Sequence, residues 1–147
     1  MYQAVISNLD ENDAVIKSAA VADYKPKTYS DNKIKKKDGD LVIELDRNKD
    51  IAYEIGKIKK DKILVGFAAE TNDIIENAKG KIAKKNMDFI VANNLKESGA
   101  GFGTDTNVVS IIEKDGSMKK YPMMTKEEVA SVILDKIKVL LDEKSSL

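Results

Sequence analysis

Residues 18 to 37 hold the side chains best suited to chemistry: small Ser18, Ala19, Ala20 and Ala22, a carboxylate at Asp23, then Lys33, Lys35, Lys36 and Lys37 within five positions. Small side chains let backbone N–H and C=O groups meet a ligand directly. Asp23 can accept hydrogen bonds from a ribose or a base, although an Asp that caps a turn has the same appearance in a sequence. A lysine is a compact charge that holds phosphate and stabilises negative charge developing at a carbonyl or phosphoryl group. A solvated charged face is the plain alternative for such a run. Against it stands the connection from 24 to 40, about 17 residues without apolar periodicity, which is long for a compact domain and fits a lid or a disordered segment.

Composition narrows the chemistry. The 147 residues contain no histidine and no cysteine, so serine–histidine triads, cysteine nucleophiles, disulfide frameworks and zinc sites built on Cys or His are excluded. Lys+Arg and Asp+Glu are equal at 25 each, which removes any overall field for steering toward nucleic acid or an acidic membrane. The start, MYQAVISNLDEN, lacks a basic stretch followed by an apolar one, and no apolar run reaches the roughly 18 residues of a membrane span. These features lead to the expectation of a cytoplasmic protein with neither a nucleic-acid nor a membrane partner.

The elements that must position the site follow from periodicity. Tyr2, Val5, Ile6 and Leu9 have helical spacing, and Asp13 to Ala20 reads as a short strand feeding that connection. Leu41 to Leu45 reads as a strand, and Asp50 can cap a helix that buries Ile51, Ile55 and Ile58. Lys62 to Ala69 and Met87 to Ala92 are buried-strand runs, joined by a helix bearing Ile74, Ile75, Ala78 and Ile82 that Thr71 or Asn72 could cap. Asn107 to Ile112 and Met118 to Met123 flank Asp115-Gly116 and predict a hairpin with a type I′ turn. Thr125 and Glu128 predict a capping box for a last helix carrying Val129, Val132, Ile133, Ile137 and Leu140, with a polar tail fraying from Asp142. The alternation implies one α/β domain over 1–147: a three-layer, Rossmann-like, mostly parallel sheet with an antiparallel edge hairpin, lacking the usual first strand and phosphate loop.

In open α/β sheets ligands bind beyond the carboxyl ends of the strands, which selects Ser18 to Asp23, Phe67 to Thr71, and Asn93-Asn94 with the glycines that follow. Phe67 ends a buried strand and by itself reads as core, with a place under a base or sugar at the sheet edge as the other reading. Lys79, Lys81, Lys84 and Lys85 read as a solvated helix end. The GAGFG run at 99–103 opens no helix after a strand and is no dinucleotide fingerprint, which counts against a dinucleotide-dependent oxidoreductase.

AAVADYKP, KIKK, NKDI, VGFAAET, IAKKNMDFIVANN and GFGTDTN occur in that order over nearly the whole chain. The set resembles the phosphopantothenate–cysteine ligase family, the C-terminal half of the bacterial bifunctional coenzyme A biosynthesis flavoprotein. The resemblance implies a homodimer that uses CTP, with Mg2+, to activate 4′-phosphopantothenate as an acyl-cytidylate before L-cysteine displaces CMP. It implies FMN only in a fused or partner decarboxylase domain. By the same resemblance Lys17, Ser18 and Ala19 give a nucleotide-contacting backbone stretch, Asp23 binds CTP, and Lys33 serves the conversion of the acyl-cytidylate. Lys49, Asp50, Ile51 and Ala52 match a CTP-binding helix start where the family often has Pro in place of Lys49. Phe67, Lys81 and Lys85 match further nucleotide positions. Complete members begin with a strand, a glycine-rich loop and an SSGKMG-like motif, which this sequence lacks, so weak or absent ligase activity is expected of the chain alone. A non-catalytic nucleotide-binding or assembly module is the other reading.

Overall fold

The computed structural model describes residues 1–35, 39–70, 74–94 and 103–146, with the backbone alone at 70 and 74. The chain forms two compact units, Met1–Ser18 with Ile51–Leu147, and Ala19–Asp50.

The first unit opens with α1 (Tyr2–Ser7), a six-residue helix with no buried residue and no side-chain cap at Met1. The buried apolar anchor of this region is Leu9, just past the helix. β1 follows at Ala14–Lys17, shorter than the run from 13 to 20 suggested.

The second unit is built on β2 (Tyr24–Pro26) paired antiparallel with β3 (Leu45–Arg47), in the register Tyr24↔Arg47 and Pro26↔Leu45. Two expectations are corrected here. Residues 24–26 are a strand instead of the start of a lid, and Leu41–Glu44 are not a strand, since the ladder takes Leu45–Arg47. Neither strand has a buried face, so no apolar alternation existed to mark them, and the exposed Leu41-Val-Ile run imitated a buried strand. The hairpin continues through the Lys27 N–H bond to the Glu44 carbonyl, and Asn48 bonds back to the Ala22 and Asp23 carbonyls. Lys36, Lys37 and Asp38 lie outside the described residues.

The chain then returns to the first unit through α2 (Ile51–Ile58), β4 (Ile63–Glu70), α3 (Ile74–Lys85) and β5 (Phe89–Asn94). β6 (Thr106–Asn107) pairs with β9 (Met124–Thr125), and between them stand β7 (Val109–Glu113) and β8 (Met118–Lys120) before α4 (Lys126–Ser145). One mixed sheet has the order β1-β4-β5-β7-β8, with β1, β4 and β5 parallel and β7 and β8 antiparallel. The α/β class expected from the alternating pattern is therefore present.

Strand alternation divides the core between two faces. Ile63, Val65, Phe89, Val91, Val109 and Ile111 meet Val129, Ile133 and Ile137 of α4, one helical stripe at four-residue spacing. Intervening Leu64, Gly66 and Ile90 face the opposite layer of α2 and α3. Lys60 (φ 53°) and Asn86 (φ 49°) end these two helices in left-handed conformations. α2 crosses α3 so closely that a Cβ at Gly56 would collide with the Lys85 carbonyl. Ile58, expected inside, is exposed, and Lys59 at 3% takes the buried place.

That inversion has an ionic cause. Lys59 Nζ donates to Asp88 Oδ2 at 2.6 Å and to the Lys62 carbonyl, while the Leu64 N–H donates to the same carboxylate oxygen at 2.7 Å. Lys114 and Lys144 stand 3.4 and 3.6 Å from Asp88 Oδ1. Burial pushes the Lys59 ammonium below its usual range, outweighing the attraction of Asp88. Burial alone would push the Asp88 carboxyl up, yet the Lys59 and Leu64 hydrogen bonds with the surrounding lysine charges hold it below the ordinary range.

The hairpin turn differs from type I′. Only Gly116 has a positive φ, 86°, and its N–H bonds the Glu113 carbonyl while the Glu113 N–H bonds the Ser117 carbonyl. This is a three-residue loop with glycine at the left-handed position, because Asp115 keeps a negative φ and instead accepts the Ser117 N–H. The capping box is present: Thr125 Oγ1 accepts from the Glu128 N–H, and the Glu128 carboxylate accepts from the Thr125 N–H. α4 runs past Asp142 to Ser145, and Lys144 donates to the Asp61 carbonyl. The suggested caps Thr71 and Asn72 lie outside the described residues, as do residues 95–102 of the glycine-rich stretch.

Candidate functional site

Parallel β1, β4 and β5 all end at one edge of the sheet, where the α/β architecture leaves room for a ligand. There, on the α4 face, lies a cavity of about 560 Å³. Phe67, Val129 and Ile133 supply apolar wall, and Ser18, Asn93, Asn107 and Lys126 supply polar groups. Register explains the meeting of distant residues: Ile16 is level with Val65, so Ser18, just past the strand end, comes level with Phe67 on the same face. Asn107 is 7% exposed, and its Nδ2 donates to Asn93 Oδ1 at 2.9 Å while its Oδ1 accepts the Val108 N–H. Both oxygens of this amide pair are thereby engaged, which fixes the side chains at the cavity wall. Lys126 at the N-terminal end of α4 adds a cation. The arrangement suits a flat, partly apolar group with hydrogen-bonding edges and a nearby negative charge.

The residues singled out in the sequence distribute unevenly. Ser18 and Phe67 share the cavity, and Lys17 ends β1 opposite Gly66. Ile51 and Ala52 are buried at 4% and 1% in α2, so any ligand contact there belongs to the backbone. Lys81 and Lys85 ride on α3, in the layer across the sheet from the Phe67 cavity, and α3 carries Lys85 back toward the start of β5. Ala19, Asp23, Lys33, Lys49 and Asp50 belong to the second unit and are exposed. Within it the Asn48 bonds to Ala22 and Asp23 bring the Asp23 segment beside Lys49 and Asp50, which lie 26 or more positions away in sequence. Asn107 and Lys126 escaped sequence reading, since Asn107 opens an apolar run like an ordinary strand residue and Lys126 follows a helix cap. Only their meeting with Ser18 and Asn93 across the sheet edge marks them. No three acidic side chains cluster as a metal site among the described residues, and none of the described helices is long and apolar enough to cross a membrane.

Comparison with known proteins decides the lineage. Residues 1–140 match the family model for the DNA/pantothenate metabolism flavoprotein C-terminal domain. The chain belongs to this flavoprotein C-terminal domain family. It is 54% identical over 140 residues to the coenzyme A biosynthesis bifunctional protein CoaBC of Bacillus subtilis, covering 95% of the chain and 34% of the relative. It is 49% identical over 142 residues to a cysteine/cysteine sulfinic acid decarboxylase of an unknown prokaryotic organism, covering 96% and 40%. The chain thus spans about a third of the length of the curated relatives it matches. Among solved structures, the C-terminal domain of a CoaBC superposes with a TM-score of 0.75 at 42% identity, covering 97% of this chain and 63% of that one. Membership in the DNA/pantothenate metabolism family is consistent with the resemblance read from the motifs.

Proposed function

We propose that this chain is the nucleotide-handling part of a phosphopantothenate–cysteine ligase and that CTP is its nucleotide. The observation that carries the reading is the cavity at the carboxyl edge, where Ser18 and Phe67, two positions of the ligase motifs, line one cavity beside a fixed pair of amides. In the reaction a carboxylate oxygen of 4′-phosphopantothenate attacks the α-phosphorus of CTP and pyrophosphate leaves. The cysteine amine then attacks the acyl carbon, CMP leaves, and the amine loses a proton. Neither step calls for a histidine or a cysteine side chain, only for positioning and for positive charge near developing negative charge. Lys33 is assigned to the second step, and Lys17, Ser18, Ala19, Asp23, Lys49, Asp50, Ile51, Ala52, Phe67, Lys81 and Lys85 to CTP.

An assembly role has its own support. The second unit exposes Tyr24, Tyr29, Ile34, Leu41, Val42, Ile43 and Leu45, with Val42 at 82%, a large apolar display for 32 residues and one suited to self-association into a homodimer. A flavin-bearing decarboxylase domain, fused or separate, is the other partner this role would serve.

Thermal unfolding with CTP, ATP and NAD separates the readings. The ligase reading expects CTP alone to raise the midpoint, by several degrees at concentrations well above its Kd. No shift with CTP, together with a stable dimer, would favour the assembly role. CMP release from CTP, phosphopantothenate and cysteine tests the reaction itself, and CTP turnover that does not depend on both phosphopantothenate and cysteine would count against the ligase reading.

A further inference from the structure

α4 covers one face of the mixed sheet, while α2 and α3 belong to the opposite layer. Its buried stripe of Val129, Ile133 and Ile137 packs on β4, β5 and β7, and β8 beyond them keeps Lys119 and Lys120 exposed. A groove of about 440 Å³ results beside the helix. Ile111, Lys119 and Tyr121 form its floor, with the Lys119 ammonium 5.0 Å from the centre of the Tyr121 ring. Its wall is a second stripe of α4, Val132, Asp135, Lys136 and Val139, roughly a quarter turn round the helix from the buried one. Val139 is 54% exposed, so this stripe has no cover of its own.

The second stripe is complementary to itself when reversed. The midpoint between Val132 and Val139 is also the midpoint between Asp135 and Lys136. An antiparallel copy related by a two-fold axis at that point therefore sets valine against valine and aspartate against lysine, each twice. The charges are available for this. One of the three Lys136 donors bonds Glu113 Oε1 at 2.7 Å, and Asp135 is exposed with no hydrogen bond or ion pair among the described residues.

We infer that this face of α4 is a docking surface for the same face of a second copy of the chain, the two helices running antiparallel about a two-fold axis between Asp135 and Lys136. The Asp135 carboxylate of each copy would then meet the Lys136 ammonium of the other and extend the Glu113–Lys136 pair into a chain of three charges across the contact. Other arrangements fit less well. A parallel pair would set aspartate against aspartate and lysine against lysine. Joining β8 to β8 about Lys119 would oppose two lysines on a strand of only three residues. A partner of one charge sign would leave either Asp135 or Lys136 unmatched. The contact is one helix pair, at the small end of interface sizes, so association is weak and concentration-dependent. It involves none of the apolar display of Ala19–Asp50 and depends on neither the nucleotide nor the ligase reading.

The chain has no cysteine, so a single substitution installs its only thiol. Val132→Cys and Val139→Cys chains, oxidised with copper phenanthroline, are expected to form disulfide-linked dimers roughly tenfold faster when mixed than either does alone. Facing positions of paired helices come within disulfide reach, whereas like positions lie about 10 Å apart along the axis. Adding Asp135→Lys to both chains is expected to remove the advantage of mixing. Asp135→Lys in the Val132→Cys chain, mixed with Lys136→Glu in the Val139→Cys chain, is expected to restore it, since those two variants are complementary only to each other. Circular dichroism checks each variant for folding, and the Asp135→Lys arm decides by itself if Lys136→Glu fails to fold without its Glu113 bond. Equal rates in mixed and unmixed samples, fastest linkage between like positions, a rate indifferent to Asp135→Lys, or no recovery in a folded complementary pair would overturn the proposal.

Discussion

Lys59 and Asp88 show how one buried charge pair governs a fold edge. Each is nearly enclosed, so removing one partner strands the other: Asp88→Ala is expected to cost about 3–5 kcal/mol in chemical denaturation. Replacing both, as Lys59→Met with Asp88→Leu, should recover most of that loss, because two desolvation costs vanish with the pair. The pH dependence follows from the depressed Asp88 carboxyl. Its stabilisation is fully present above the unfolded-state value, about 3.9, and is lost as pH falls through the lower folded value. Urea midpoints measured from pH 6 down to pH 2 should therefore fall in acid, and Asp88→Asn should flatten that limb. At the proposed reactive lysine the expected outcome is different in kind. Lys33→Gln, measured in a protein that carries out the complete reaction, should retain CTP binding by calorimetry and lose product formation; equal loss of both would reduce Lys33 to a general electrostatic attractor.

Individual elements hold through caps and close approaches that single substitutions can test. Thr125→Ala removes the acceptor for the Glu128 N–H and should cost α4 about 1 kcal/mol, visible as a lowered urea midpoint with an unchanged slope. Gly56→Ala should cost more than that, since the new Cβ would meet backbone at the Lys85 carbonyl and α2 must move away from α3. A loss smaller than the Thr125 variant's would mean that the two helices slide apart easily. The hairpin at Asp115-Gly116 illustrates how element identity and element detail part company. Apolar runs on both sides announced it, while the turn type depended on whether Asp115 would adopt a positive φ, and its side-chain bond to the Ser117 N–H is made without one.

Across the whole molecule, legibility tracked burial. β4 and β5, covered on both faces, appear as unbroken apolar runs, and the stripe of Val129, Ile133 and Ile137 appears as helical spacing, because the hydrophobic effect writes its period directly into residue choice. The second unit left no such mark. β2 and β3 are exposed on every residue, so their pairing is set by backbone bonds and by Asn48, neither of which imposes a pattern on side chains. The candidate site divides in the same way. Ser18 and Phe67 were legible as the residues that follow or end apolar runs, whereas Asn107 and Lys126 gain their meaning only from register between strands and from the path of α4. By itself the sequence determined the α/β class, the order of the buried elements, the absence of histidine and cysteine chemistry and the motifs of a ligase family, all of which are local properties of composition and period. The tertiary structure alone decided which faces the described motif residues occupy, put Lys81 and Lys85 across the sheet from Phe67, and buried Lys59 beside Asp88, because such relations join residues far apart in the chain through packing that no local pattern encodes.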